Sequence, residues 1–182
     1  MKGGKLYPQG AFNANAWVEV YETILAATAT SITISGLDGD AAGKYLLKAR
    51  VVNGYNGNCF YGVRPNNDSG NNYGWQNLSG SDTSIAASRN TSWSYIYTGF
   101  CAALSDKGFS SILLHAKSGY VRTVLAKLTE SVVTTTVTTI RLIPGAWNNT
   151  ADNITSLVVF ADQVGGLGIG THIELWKPAY VT

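Results

Sequence analysis

Two histidines, two cysteines and eleven acids are all that this chain of 182 residues offers to acid–base, nucleophilic or metal chemistry. Catalysis needs such groups gathered in one place, and their spacing here keeps them apart. His115 falls on the strand face of Phe109, Ser111 and Leu113, and His172 lies opposite the apolar face that holds Ile173 and Leu175. There is no His-Glu-x-x-His, no Cys-x-x-Cys and no Gly-x-Ser-x-Gly, so zinc hydrolysis, a zinc ribbon and an α/β-hydrolase have no support. The residues predict a protein that is not an enzyme and carries no cofactor or metal.

Two shorter patterns imitate binding loops. Asp38-Gly-Asp-Ala-Ala-Gly43 has the acid spacing of a calcium loop but lacks its third acid and closing glutamate, so it reads as a turn. Gly166-Leu-Gly-Ile-Gly170 resembles a phosphate cradle, yet a strand follows it where a helix N-terminus would be required. It reads as a loop that needs small residues. Cys59 and Cys101 sit in apolar, strand-like runs and read as buried free thiols, because a chain of this length needs no disulfide to fold.

The aromatic residues carry more. Five tryptophans and ten tyrosines are spread along the chain, with clusters at Tyr73-Gly-Trp75 and Trp93-Ser-Tyr-Ile-Tyr97. Sugar-binding sandwiches stack pyranose rings on exposed aromatics and hold the hydroxyls with Asn and Asp. Tyr73, Trp75, Trp147 and Asn148 are therefore the candidate glycan contacts, with core or subunit packing as the competing use of the same rings.

The elements that must position these residues read as strands. Lys44 to Asn53 sends Tyr45, Leu47, Ala49 and Val51 to one face and Lys44, Lys48 and Arg50 to the other. Similar runs lie at 17–27, 31–35, 59–64, 73–77, 94–103, 109–117 and 121–129, and a Thr, Val and Ile run spans 132–143 until Pro144-Gly145 stops it. Asn53-Gly54 and Asn56-Gly57 favour tight turns. Ile154 to Trp176 reads as two strands joined by the glycine-rich loop, a hairpin closing a sheet. No helix longer than two turns is expected. The sum predicts an all-β, single-domain, jelly-roll-like antiparallel β-sandwich of about ten strands over 16–182, preceded by an extended N-terminal arm over 1–15.

Composition narrows the partners. Only 13% of residues are charged, about half the usual share, and the net charge is +2 with the basic residues scattered. No basic stripe suggests nucleic acid, no run of apolar residues suggests a membrane span, and the N-terminus has no export-type apolar region. A protein made and kept soluble in a cytoplasm is expected.

Ser35-Gly-Leu-Asp-Gly-Asp with Lys44-Tyr-Leu-Leu, Tyr61-Gly-Val-Arg-Pro-Asn-Asn-Asp-Ser with Asn72-Tyr-Gly-Trp-Gln, and the closing Ile154 to Trp176 are similar to segments of jelly-roll virion structural proteins of tailed bacteriophages. The resemblance spans most of the chain. It implies a head decoration, head fibre or tail-tip subunit, usually trimeric, located in the virion after synthesis in the host cytoplasm. The leading expectation is accordingly a non-enzymatic, trimeric capsid decoration protein that binds the major capsid protein or other virion proteins and stabilises the assembled shell. Lys5, Leu6, Tyr7 and Phe12 of the arm are its candidate anchoring residues. The alternative is a receptor- or glycan-binding module of the tail tip or fibre, contacting host surface sugars through loops in 53–80 and 144–153.

Overall fold

Alternation of apolar and polar residues sorts the side chains of this chain into an inside and an outside, and two sheets close over the inside. The computed structural model describes residues 17–132 and 136–179. In chain order the elements are β1 (Trp17–Ile24), β2 (Ser31–Ser35), α1 (Gly39–Ala42), β3 (Lys44–Val52), β4 (Cys59–Pro65), β5 (Tyr73–Ser81) and β6 (Ser84–Trp93). They continue as β7 (Ile96–Cys101), β8 (Lys107–His115), β9 (Arg122–Val132), β10 (Thr139–Trp147), β11 (Ser156–Ala161) and β12 (His172–Pro178). The strands form two antiparallel sheets of unequal width. The larger has eight strands in the order β1-β12-β3-β8-β9-β10-β5-β6, and the smaller has four in the order β2-β11-β4-β7.

The all-β antiparallel sandwich expected from the sequence is therefore present, with twelve strands among the described residues in place of about ten. Leu47 and Ala49 of β3, Ile112 and Leu114 of β8, Val124, Ala126 and Leu128 of β9 and Ile173 and Leu175 of β12 form the floor of the core. Ile34, Val63, Tyr61, Leu157 and Val159 of the small sheet close it from above. Each such Val, Leu or Ile side chain contributes about 1.5–3 kcal/mol relative to leaving it in water. Cys59 and Cys101 face each other in the β4–β7 ladder, both free and fully buried.

Several local expectations change. Ile154 to Trp176 is not a hairpin, because β11 pairs with β2 and β4 in the small sheet while β12 lies between β1 and β3 in the large one. The glycine-rich loop is a crossover between sheets. Leu167 bridges Ala29 and Asn53, and a Cβ on Gly168 would stand 2.8 Å from the Val52 carbonyl oxygen, so the small residues are required by close backbone passage. Pro144 and Gly145 do not stop β10. Pairing with β9 runs through Pro144↔Leu125, and the β5 ladder lapses only at Ile143 and Pro144, so the strand continues past the proline to Trp147. β6 was not expected at all. A two-residue turn with Asp82 at φ 51° folds it onto β5.

Asp38 and Asp40 are held by the fold itself. Asp38 caps the single turn of α1 through the Ala41 N–H and also accepts from Asn153, while Asp40 accepts from the backbone N–H and hydroxyl of Ser118. These hydrogen bonds hold both carboxyls below the usual carboxylate value. The segment is the turn the sequence predicted. The arm and its residues Lys5, Leu6, Tyr7 and Phe12 lie outside the described residues.

Candidate functional site

Unequal sheets leave an overhang. β7 is the edge of the small sheet and packs over β8, β9, β10 and β5, whereas β6 continues the large sheet beyond it. Inward-facing residues of β5 and β6 therefore meet the flank of the small sheet instead of a second layer. The result is a half-open cleft of about 440 Å³ lined by Phe60, Trp75, Asn77, Ser88, Trp93, Tyr95, Tyr97, Arg141 and Asp162.

Each wall has a local cause. Trp75 and Asn77 occupy successive inward positions of β5, and Ser88 opposes Asn77 on β6. Gly145 opposes Trp75, and a Cβ there would stand 3.0 Å from the Gly74 carbonyl oxygen and 3.4 Å from Trp75 Cβ, so the two strands pass closely here. Trp93, Tyr95 and Tyr97 alternate through the connection from β6 into β7. Gly62 lies beneath this run, where a Cβ would overlap the Tyr95 ring and stand 2.8 Å from the Phe160 ring.

Ring geometry is that of an aromatic cage. Trp75 and Trp93 are perpendicular, with centroids 6.1 Å apart and an interplanar angle of 83°, and Trp93 meets Tyr95 edge-on at 5.6 Å. Trp75 lies 6.2 Å from Tyr97, and Phe60 lies 6.3 Å from the same ring. Phe60 is exposed at the mouth, where Asp162 Oδ1 accepts from its backbone N–H at 2.9 Å.

A buried polar relay braces the floor. Glu130 Oε1 accepts from the Tyr97 hydroxyl at 2.6 Å and Glu130 Oε2 from Arg141 Nε at 2.6 Å. Burial pushes the Glu130 carboxyl up, and the Tyr97 and Arg141 donors only partly reverse it. Burial likewise raises the Tyr97 hydroxyl, helped by the adjacent Glu130. The relay is structural, because its groups are engaged with one another.

Three polar atoms of the cleft are not engaged. Trp75 Nε1, Trp93 Nε1 and Asn77 Oδ1 are shielded from solvent and have no hydrogen-bond partner among the described residues. Asn77 is only 5% exposed, and its amide donates to Ser88 Oγ at 3.3 Å. Burial raises the Tyr95 hydroxyl, which lies beside the Trp93 indole without a hydrogen bond between them. An unmet buried polar group costs about 1–3 kcal/mol, and three of them belong to residues that line this one cleft.

The expected glycan residues divide. Trp75 is in the cleft. Trp147 and Tyr73 are 0% and 1% exposed, stacked at 6.3 Å and 14° inside the core, so neither offers a face to a sugar. Trp147 Nε1 instead donates to Asp68 Oδ2 at 2.7 Å, and the Tyr73 hydroxyl donates to the Asp68 carbonyl. Asn148 is exposed on a shallow Asn-rich groove apart from the cleft, beside Asn71 and Asn72. The Trp93-Ser-Tyr-Ile-Tyr97 cluster was legible as a signal, whereas Phe60, Asn77, Arg141 and Asp162 were not.

Arg122 supports the adjoining loop. Fully buried, it donates to the carbonyls of Tyr120, Asn149 and Asp152, with its guanidinium carbon 5.8 Å from the Trp147 ring centroid. His172 contacts Glu22 at 2.8 Å and Glu174 at 3.7 Å in a surface cluster with Lys48.

No family model matches the sequence, and no curated protein matches it. Among solved structures, galectin LEC-6 of Caenorhabditis elegans aligns over 87% of this chain and 96% of its own, at 8% identity and a TM-score of 0.35. A putative pore-forming toxin from Bacteroides vulgatus aligns over 85% of this chain and 59% of its own, at 8% identity and a TM-score of 0.12.

Proposed function

We propose that the protein is a non-enzymatic structural component of a tailed-phage virion and that it serves as a receptor-binding module at the tail tip or fibre. The aromatic cleft carries this reading. It combines a shaped, largely apolar cavity with unmet polar atoms, the combination by which small-molecule sites fix orientation and select their ligands. The sequence likeness to jelly-roll virion proteins supports the virion setting.

Shell decoration is the second reading, and one observation favours it. On the outer face of the large sheet, Leu78, Ile85, Ile140 and Leu142 form an exposed apolar stripe, with Ile85 81% exposed. Such a stripe suits burial against a neighbouring capsid subunit. Immunogold labelling of particles separates the two: tail label is expected, and label confined to the shell overturns the tail-tip assignment.

A further inference from the structure

We infer that the cleft between β5, β6 and the flank of the small sheet binds a neutral sugar ring, through Trp75, Trp93 and Asn77. This rests on the reading of the cleft as the receptor contact. The three unmet atoms, shielded until side chains of the cleft wall turn toward a ligand, narrow its chemistry: two indole N–H groups need acceptors and the Asn77 carbonyl needs a donor. Hydroxyl groups are both. A carboxylate or phosphate would satisfy the indoles and leave Asn77 unmet, and a quaternary ammonium would satisfy none of the three.

Charge points the same way. The positive charge in the cleft, Arg141, is paired with buried Glu130, and the exposed carboxylate of Asp162 stands at the mouth. An anion would meet Asp162 without an uncommitted cation to hold it. A cation could meet Asp162 at the rim but would offer the two indole N–H groups no acceptor. A neutral polyol meets neither penalty, and Asp162 can accept from a hydroxyl at the rim.

Shape completes the match. Pyranoses present apolar C–H faces as well as hydroxyl edges, and Trp75, Trp93, Tyr95 and Phe60 supply apolar rings beside the polar atoms. The volume of about 440 Å³ lies within the roughly 300–1,000 Å³ of small-molecule sites. Tyr97 and Arg141 are fixed by Glu130, so part of the cavity is formed before the ligand arrives.

The test is a titration of the full ¹⁵N-labelled chain with methyl glycosides of glucose, galactose, mannose and N-acetylglucosamine, alongside methyl glucuronide and choline, following the indole N–H signals. At least one neutral glycoside should move both the Trp75 and Trp93 signals and bind about tenfold or more tighter than methyl glucuronide and choline. Trp93→Phe keeps a ring but removes the N–H, and Asn77→Ala removes the carbonyl; each should weaken binding about tenfold, equivalent to about 1.4 kcal/mol. Their unfolding midpoints report that the variants are folded. Equal or tighter binding of methyl glucuronide or choline overturns the inference, as does a panel in which no neutral glycoside moves these signals. Fluorescently labelled protein applied to host cells tests the receptor reading separately. Adsorption lost in Trp93→Ala without any glycoside response removes the sugar and keeps the receptor role, whereas a glycoside response without adsorption keeps the sugar and removes the receptor role.

Discussion

Trp147 was a candidate sugar platform by residue type and is a core pillar by position, and the Asp68→Ala, Trp147→Phe double-mutant cycle distinguishes the two. Asp68 receives three hydrogen bonds on its carboxylate: from Trp147 Nε1 at 2.7 Å, from Asn72 Nδ2 at 2.9 Å and from the Gly70 N–H at 2.8 Å. Asn72 and Gly70 are exposed and can turn to water, but the Trp147 indole is fully buried and cannot. Asp68→Ala should therefore cost about 2–3 kcal/mol, the range for a charged hydrogen bond whose buried donor is left unmet. At about 2–4 °C per kcal/mol for a chain of this size, the melting point should fall by roughly 5–10 °C. Trp147→Phe removes the donor, so adding Asp68→Ala to it should cost only a fraction as much, with a coupling of about 1.5–2 kcal/mol in urea denaturation. Burial opposes the Asp68 carboxylate, but the Trp147, Asn72 and Gly70 donors outweigh it and hold the group below its usual value. Its contribution is thus complete above the unfolded-state pKa and is lost as pH falls through the lower folded-state value. The Asp68→Ala variant should lose that part of the acid dependence. Effects that add within about 0.5 kcal/mol, or a Trp147→Phe variant of unchanged stability with impaired ligand binding, would refute the pillar.

The two thiols and the glycine beneath the cleft give further checks. Burial raises the thiol of Cys59 and pushes that of Cys101 up to about 12, so neither should react with a thiol reagent at pH 8 until the chain unfolds; stoichiometric labelling of native protein contradicts this. Gly62→Ala would drive a methyl into the Tyr95 and Phe160 rings and should cost about 1–3 kcal/mol of stability by denaturation. The same change should perturb the Trp93 indole signal, because Trp93 and Tyr95 are in edge contact. A wild-type spectrum and stability would show that the cage wall is looser than its geometry implies.

Alternation made most of the fold legible. β3 and the inward Ile173 and Leu175 of β12 follow directly from period two, because one face of each is buried under the small sheet. β6 gives no such signal: its residues are mostly small and polar, and neither face is fully buried, so pairing with β5 makes it a strand. The β11–β12 crossover was misread because a loop rich in glycine fits a tight turn equally well. What distinguishes them is a long-range contact, the passage of Gly168 against Val52 and Gly54.

The candidate site was harder to read for a reason visible in two tryptophans. Trp75 and Trp147 sit on adjacent strands, in ladder pairs separated by Ala146↔Gly74, namely Gly145↔Trp75 and Trp147↔Tyr73, and both point inward. Sequence periodicity assigns them the same face and can assign nothing more. One inward face is closed by packing, where the Tyr73 ring and Asp68 satisfy Trp147; the other opens beside β7, where Trp75 keeps a free N–H. Whether an inward residue becomes core or binding wall depends on the width of the opposing sheet. That width is a difference between eight strands and four, set by pairings scattered across the whole chain. The overhang thus turns a pattern that specifies burial into a cleft, and it places the unmet polar atoms at the margin where the second layer ends.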